Sequence, residues 1–179
     1  NPAIGGMAKG NLVREVDALG GEMGHLIDAS MIQYRILNRK RGPAVQSPRA
    51  QADKFSYHRL AKETLERQKN LSIFQDTVID ILVQPNQTVC GVRTERGHHI
   101  LSRVVVLTTG TFMEAQIFIG TYSRSAGRLD EPSAIGLGTA LRKQGFTVGR
   151  MATDTTARVR RSTIDFDAMT EQSGDEVML

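Results

Sequence analysis

Val104-Val105-Val106-Leu107-Thr108-Thr109-Gly110-Thr111 is the stretch on which the fold class turns. Four consecutive apolar residues, three of them β-branched, have the length and composition of a strand buried on both faces of a parallel sheet. The run ends in small residues and a glycine. Such a turn places backbone N–H groups at the carboxyl end of a sheet, where open α/β sheets bind ligands. The expectation is therefore an α/β protein with residues 104–107 as a buried parallel strand.

Outward from that run the pattern changes. Upstream, Ser72-Ile73-Phe74-Gln75, Val78-Ile79-Asp80-Ile81-Leu82-Val83 and Val89-Cys90-Gly91-Val92-Arg93-Thr94 read as strands, with turns at Pro85-Asn86 and Gly97. Residues 71–102 are expected to form an antiparallel β-meander. Downstream, a helix is expected at about 133–144, stopped by Gly145. Gly136-Leu137-Gly138-Thr139-Ala140-Leu141 is not a dinucleotide fingerprint: the third glycine is replaced by Leu141 and no apolar strand precedes it.

The first half is helix-rich. Leu12, Val13, Val16 and Leu19 have helical spacing, with Asn11 as a candidate cap and Gly20-Gly21 as the stop. Ile32–Leu37 reads as a short strand, and Arg39-Lys40-Arg41-Gly42-Pro43 as a basic turn. A second helix is expected from about Arg49 to Gln68, on a stripe of Phe55, His58, Leu60, Ala61 and Leu65. The polar tail after Met151 holds no complete element.

Bulk properties exclude several classes. Lys plus Arg number 23 and Asp plus Glu 19, for a net charge of +4, which permits a polyanionic partner without demanding one. Cys90 is the only cysteine, so no disulfide framework exists within the chain, which fits a reducing compartment such as the cytoplasm. In its alternating strand, Cys90 reads as a structural thiol. His25, His58, His98 and His99 make no metal spacing with one another or with the cysteine. No apolar run is long enough to span a membrane. The opening residues carry no signal-peptide pattern, and a chain beginning at Asn1-Pro2 is expected to be cut from a longer one. Arg39-Lys40-Arg41 and Arg158-Arg160-Arg161 are candidate phosphate contacts, because guanidinium forks match phosphate oxygens.

Several stretches resemble one family. They are Asn1-Pro2-Ala3-Ile4-Gly5-Gly6, Leu12-Val13-Arg14-Glu15-Val16-Asp17-Ala18-Leu19-Gly20-Gly21, Gly42-Pro43-Ala44-Val45, Arg49-Ala50-Gln51-Ala52-Asp53 and Val105–Phe112. In order and register they resemble the large flavoprotein subunit of the tRNA uridine 5-carboxymethylaminomethyl modification enzyme, the glucose-inhibited division protein A (GidA) family. The likeness runs over residues 1–150 and resumes at Ser162–Phe166.

The resemblance implies an α/β, two-dinucleotide-binding (Rossmann-like) flavoprotein fold with an antiparallel meander, incomplete in this chain. It implies FAD as cofactor, recharged by NADH, and modification of the wobble uridine of tRNA together with a GTPase partner, in a homodimer. It places Asn1, Pro2, Ala3, Ile4, Gly5 and Gly6 under the isoalloxazine and makes Val78, Ser133, Gly110 and Thr111 FAD contacts. Residues 1–150 become part of an FAD-binding domain and 151–179 the start of an inserted one. The family's strand–GxGxxG–helix unit and its redox-active cysteine would precede Asn1. One departure stands out: Leu-Lys-Thr-Gly-Thr-Pro-Pro-Arg of the family appears as Met151-Ala152-Thr153-Asp154-Thr155-Thr156-Ala157-Arg158. The alternatives are a degenerate, non-catalytic flavoprotein piece and a relative of the folate- and FAD-dependent tRNA methyltransferase; the Asn1–Gly6 opening argues against the latter.

Overall fold

In a computed structural model of the chain, residues 2–176 are described. They divide into two compact units, one drawn from residues up to 73 and from 153 onward, the other from residues 74–152.

In the first unit a three-stranded antiparallel sheet has the order β1-β3-β2, formed by Ala3–Gly5, Ser47–Ala52 and Met31–Leu37 respectively. Helix α1 (Met7–Ala18) follows β1 directly, and α2 (Met23–Asp28) leads into β2. The α1 helix begins four residues before Asn11 and carries no side-chain cap. It stops at the expected glycines: Gly20, at φ +84°, donates its N–H to Asp17 O, and Gly21 donates to Val16 O.

The expected 49–68 helix is corrected. Residues 47–52 are the central strand of the sheet, paired on both sides, and the helix α3 spans Lys54–Arg67. Asp53 separates them: its carboxylate accepts from Ser56 N at 2.7 Å, a helix N-cap. Ala50, Gln51 and Ala52 are poor strand formers, yet two partner strands outweigh propensity. Ala50 and Ala52 form the core with Ile27, against Ile4, Met31, Tyr34 and Tyr57. Their small size lets the helices lie close to the sheet. Phe55, assigned to the buried stripe, is 83% exposed.

The tail of the chain closes this sheet. Asp175 N donates to Tyr34 O at 2.8 Å, Ile36 N donates to the Asp175 carboxylate at 2.7 Å, and Gln33 Nε2 donates to Gln172 O at 3.0 Å. The tail therefore runs along the otherwise unpaired edge of β2.

In the second unit, β4 (Val78–Val83), β5 (Val89–Thr94) and β6 (His99–Leu101) form the antiparallel meander, in that order. Gly91, at φ +150°, lies against β6: a Cβ there would come within 2.2 Å of Ile100 O. Cys90 is half-buried, with its thiol toward Leu82 O, as a structural thiol should be. A hairpin, β7 (Gln116–Ile119) with β8 (Tyr122–Ser125), and the short helix α4 (Leu137–Lys143) complete the unit.

Two expectations fail here. Residues 72–75 are not a strand. More consequentially, residues 104–107 form neither a strand nor a buried segment: Val104 is 70%, Val106 77% and Leu107 43% exposed. An apolar run becomes a strand only where a neighbour offers its N–H and C=O groups, and no described residue pairs with it.

Candidate functional site

The two groups of candidate residues fall in different units: Pro2–Gly6 in the first, Val78, Gly110, Thr111 and Ser133 in the second. Asn1 lies outside the described residues.

Around Gly5 and Gly6 the chain passes from strand to helix without a spacer. The two glycines are there for different reasons. Gly5 sits at φ +126° opposite Arg49, and a Cβ would come within 2.2 Å of Pro48 O and 2.7 Å of Arg49 Cα. Its smallness admits the neighbouring strand. Gly6, at φ +96°, has nothing within 4 Å of a built Cβ. Its N–H donates to Pro48 O, while its carbonyl accepts from Ser47 Oγ and, one helical turn on, Gly10 N. The turn is thus held from behind and open in front, a shape that admits a flat ligand against backbone.

In the second unit Gly110 is likewise open, at φ +59° with nothing near its Cβ position. Thr111 Oγ1 reaches Gly127 O at 3.4 Å, and Phe112 stacks under the Arg128 guanidinium. Ser133 is placed differently from expectation. It is not at the start of the helix, which begins at Leu137 after Gly136. Its hydroxyl accepts from Ala115 N at 2.7 Å and donates to Phe112 O at 3.1 Å, while Ala134 N donates to Phe112 O and Glu114 N to Ala134 O. Ser133 therefore fastens residues 112–115, which directly follow the Gly110-Thr111 turn, to residues 133–134. Val78 lies on β4, whose next residue, Ile79, packs against Gly136.

The start of α4 is already occupied by a carboxylate that sequence reasoning missed. Glu114 accepts from Thr139 N at 3.0 Å, from the Thr139 hydroxyl at 3.2 Å and from Arg142 Nη1 at 3.2 Å. Burial pushes this carboxyl up, but the Arg142 and Thr139 hydrogen bonds outweigh it and hold the group below its ordinary value. A Cβ on Gly138 would lie 2.7 Å from that carboxylate. The glycines of residues 136–138 thus make room for Glu114 and Ile79. Glu114 sits at φ +47°, unusual for a non-glycine, and its only sequence signal is position, just after the Gly110 turn.

A second carboxylate, Asp76, braces the meander. Its side chain is 4% exposed. It accepts from Thr77 N, and Arg96 Nε lies 3.0 Å away as an ion-pair contact without hydrogen-bond alignment. Burial raises this carboxyl, yet the Thr94, Thr77 and Arg96 contacts hold it below its ordinary value. His98 packs edge-on against Phe74 and remains largely exposed. Among the described residues no group of three or more His, Cys, Asp or Glu side chains could hold a metal ion, and no helix is long and apolar enough to cross a membrane.

Of the basic turn, Arg39 is tied to Asp175, Nη2 to Oδ2 at 2.5 Å. Lys40 and Arg41 are exposed and form no ion pair among the described residues. Arg161 lies over the Phe166 ring.

Solved structures share this architecture. A GidA from Aquifex aeolicus matches with a TM-score of 0.87 at 50% identity, covering 98% of this chain and 29% of the solved one. A GidA-related protein from Thermus thermophilus matches at TM-score 0.50 and 34% identity, over 62% of this chain and 46% of its own. The class is α/β, an incomplete Rossmann-like flavoprotein fold bearing an antiparallel meander. The family model for glucose inhibited division protein A covers residues 1–179, and the chain belongs to that family. Its relatives include proteins named tRNA uridine 5-carboxymethylaminomethyl modification enzyme MnmG. That of Treponema denticola is 58% identical over 99% of this chain, and that of Borreliella afzelii 60% identical over 98%. The chain spans about three-tenths of the length of these relatives: 30% and 28%.

Proposed function

We propose that this chain is a segment of an FAD-dependent enzyme that modifies the wobble uridine of tRNA, adding a carboxymethylaminomethyl-type group at position 5. The observation that carries the reading is the match of residues 1–179 to the glucose inhibited division protein A family; within it Gly6 and Gly110, like Gly20, Gly97, Gly120 and Gly145, have positive φ and free space where a side chain would stand. Of these, Gly6 and Gly110 fall in stretches that resemble the family's flavin contacts, and both fit a flat, backbone-contacting group.

In this reading Pro2–Gly6 would contact the isoalloxazine, Gly110 and Thr111 would form the second flavin-side turn, and Val78 would be a further FAD contact. Ser133 would act indirectly, by fixing the backbone of residues 112–115. Bound flavin supplies two-electron redox chemistry at its ring. The chain's own contribution there would be a fixed stretch of backbone, since Gly6 is anchored from behind by Pro48 and Ser47. Residues 1–150 would belong to the FAD-binding domain and 151–179 to the start of an inserted one. The protein would act in the cytoplasm, recharged by NADH, as a homodimer with a GTPase partner, and Arg39, Lys40 and Arg41 would meet tRNA phosphates.

The test is genetic and chemical together. The complete reading frame containing this chain is expressed in a strain lacking its own wobble-uridine modification enzyme, and digested tRNA is analysed for the modified nucleoside. Its appearance supports the reading, and a methylated uridine instead would assign the chain to the methyltransferase relatives. No new nucleoside would favour the degenerate alternative, to which the altered stretch Met151–Ala157 points.

A further inference from the structure

We propose that Arg35 and Arg49 form a phosphate-binding seat on the face of the β1-β3-β2 sheet opposite its hydrophobic core, separate from the basic turn.

The register sets the argument. Arg35 on β2 stands directly opposite Arg49 on β3, and Arg49 directly opposite Gly5 on β1. Directly opposed residues of an antiparallel pair share one face. Ala50, Tyr34 and Ile4 occupy the alternate positions and pack into the core, so the two arginines lie on the other face. In the adjoining row Gln51 faces Gln33 on one side and Ala3 on the other. Beside Arg49 and Gln51, then, β1 presents nothing larger than a methyl group.

Two like charges directly opposed across a strand pair destabilise it unless something answers them. No carboxylate does so by an ion pair among the described residues. Arg35 Nη1 donates to the neutral amide of Gln172, at 2.9 Å, and Asp175, the acidic group of the tail, accepts from Ile36 N and pairs with Arg39, so that it answers Arg35 only at longer range. Arg49 is half-buried, and its Nε is shut off from solvent with no hydrogen-bond partner. A buried unsatisfied donor on a cation is costly and rare in native proteins. An anion bridging the two guanidinium groups answers the opposed charges. Two adjacent planar forks carry two positive charges and match the tetrahedral oxygens of a phosphate better than one carboxylate. The seat depends on β2 and β3 alone and not on the flavin or tRNA reading. Its phosphate can come from a small diphosphate compound or from an RNA backbone.

The test uses the 179-residue chain and two probes, inorganic pyrophosphate and a single-stranded oligoribonucleotide. Arginine side-chain Nε–H resonances are followed by NMR, affinities by calorimetry and folding by circular dichroism. The expected result is a shift of the Arg49 Nε–H signal with either probe. Affinity should fall about tenfold or more in Arg35→Gln and in Arg49→Gln. Arg59→Gln, on the exposed face of α3, should bind as the parent does. Arg49→Lys keeps the charge and removes the fork, so it tests the seat in a chain whose sheet is least disturbed; it should also weaken binding. Preference for pyrophosphate assigns the seat to a small ligand, and preference for the oligonucleotide to RNA. Undiminished affinity in folded Arg49→Lys and Arg35→Gln, or no binding of either probe, would overturn the proposal.

Discussion

Replacing Glu114 should loosen the second unit, and the structure says by how much. Its carboxylate supplies a helix cap at Thr139 N, an acceptor for the Thr139 hydroxyl and an ion pair with Arg142. Loss of a cap costs about 1 kcal/mol. The remaining contacts are partly solvent-exposed, so after screening they contribute about 1 kcal/mol more. Glu114→Ala should therefore destabilise by about 2 kcal/mol, or roughly 8–16 °C in Tm for a unit of this size. Glu114→Gln keeps one acceptor oxygen for Thr139 N and should lose about half as much. The pH dependence has a definite sign. The folded carboxyl lies below its ordinary value of 4.5, so its stabilisation is present in full above that value and is lost as pH falls through the folded pKa. The gap between parent and Glu114→Gln should thus be constant near neutrality and narrow in acid. Thermal melts by circular dichroism at several pH values measure both effects. A Glu114→Ala chain melting with the parent at pH 7, or a gap that widens in acid, would refute the reasoning.

Other outcomes follow from the same geometry. Gly5→Ala drives a Cβ into Pro48 O and should cost about 2 kcal/mol or more, whereas Gly6→Ala meets no atom and should cost only about 1–2 kcal/mol of backbone strain; denaturant melts that rank them the other way would contradict the two roles. In the complete protein, Lys40→Ala with Arg41→Ala should lower the salt slope of tRNA binding by roughly two. Arg39→Ala should act chiefly by releasing the tail from β2, seen as faster proteolysis after residue 153. The 179-residue chain alone should not hold FAD tightly, because it contains no GxGxxG turn for the pyrophosphate; a stoichiometric yellow protein of submicromolar affinity would reverse that view.

How much of this was legible in the sequence depended on whether a signal was local. The meander was readable because β-alternation, Pro85-Asn86 and Gly97 all lie within it. The end of α1 was readable because Gly20 and Gly21 act on the turn just before them. Residues 49–53 misled because their helix propensity is local while the two strands that claim them are distant. Val104–Leu107 misled for the converse reason: apolar content states what the side chains prefer, not where a partner strand is. At the site, Gly5 and Gly6 were found as a pair, but only the packing separates the one that admits β3 from the one left open. Glu114 carries no motif, so its capping of α4 could not be anticipated from spacing.

The tail seated on β2 sets an order of events during synthesis. Residues 74–152 emerge as one uninterrupted stretch and can complete their own contacts as soon as they leave the ribosome. The first unit cannot: β2 appears early, yet Asp175, which engages the outer main-chain groups of Tyr34 and Ile36, is made more than a hundred residues later. For that interval β2 is a template for any passing strand. Translation that stalls after the second unit would leave a nascent chain half folded and half adhesive, which makes the Asp175 contact with β2 the one that decides whether the first unit stays solitary.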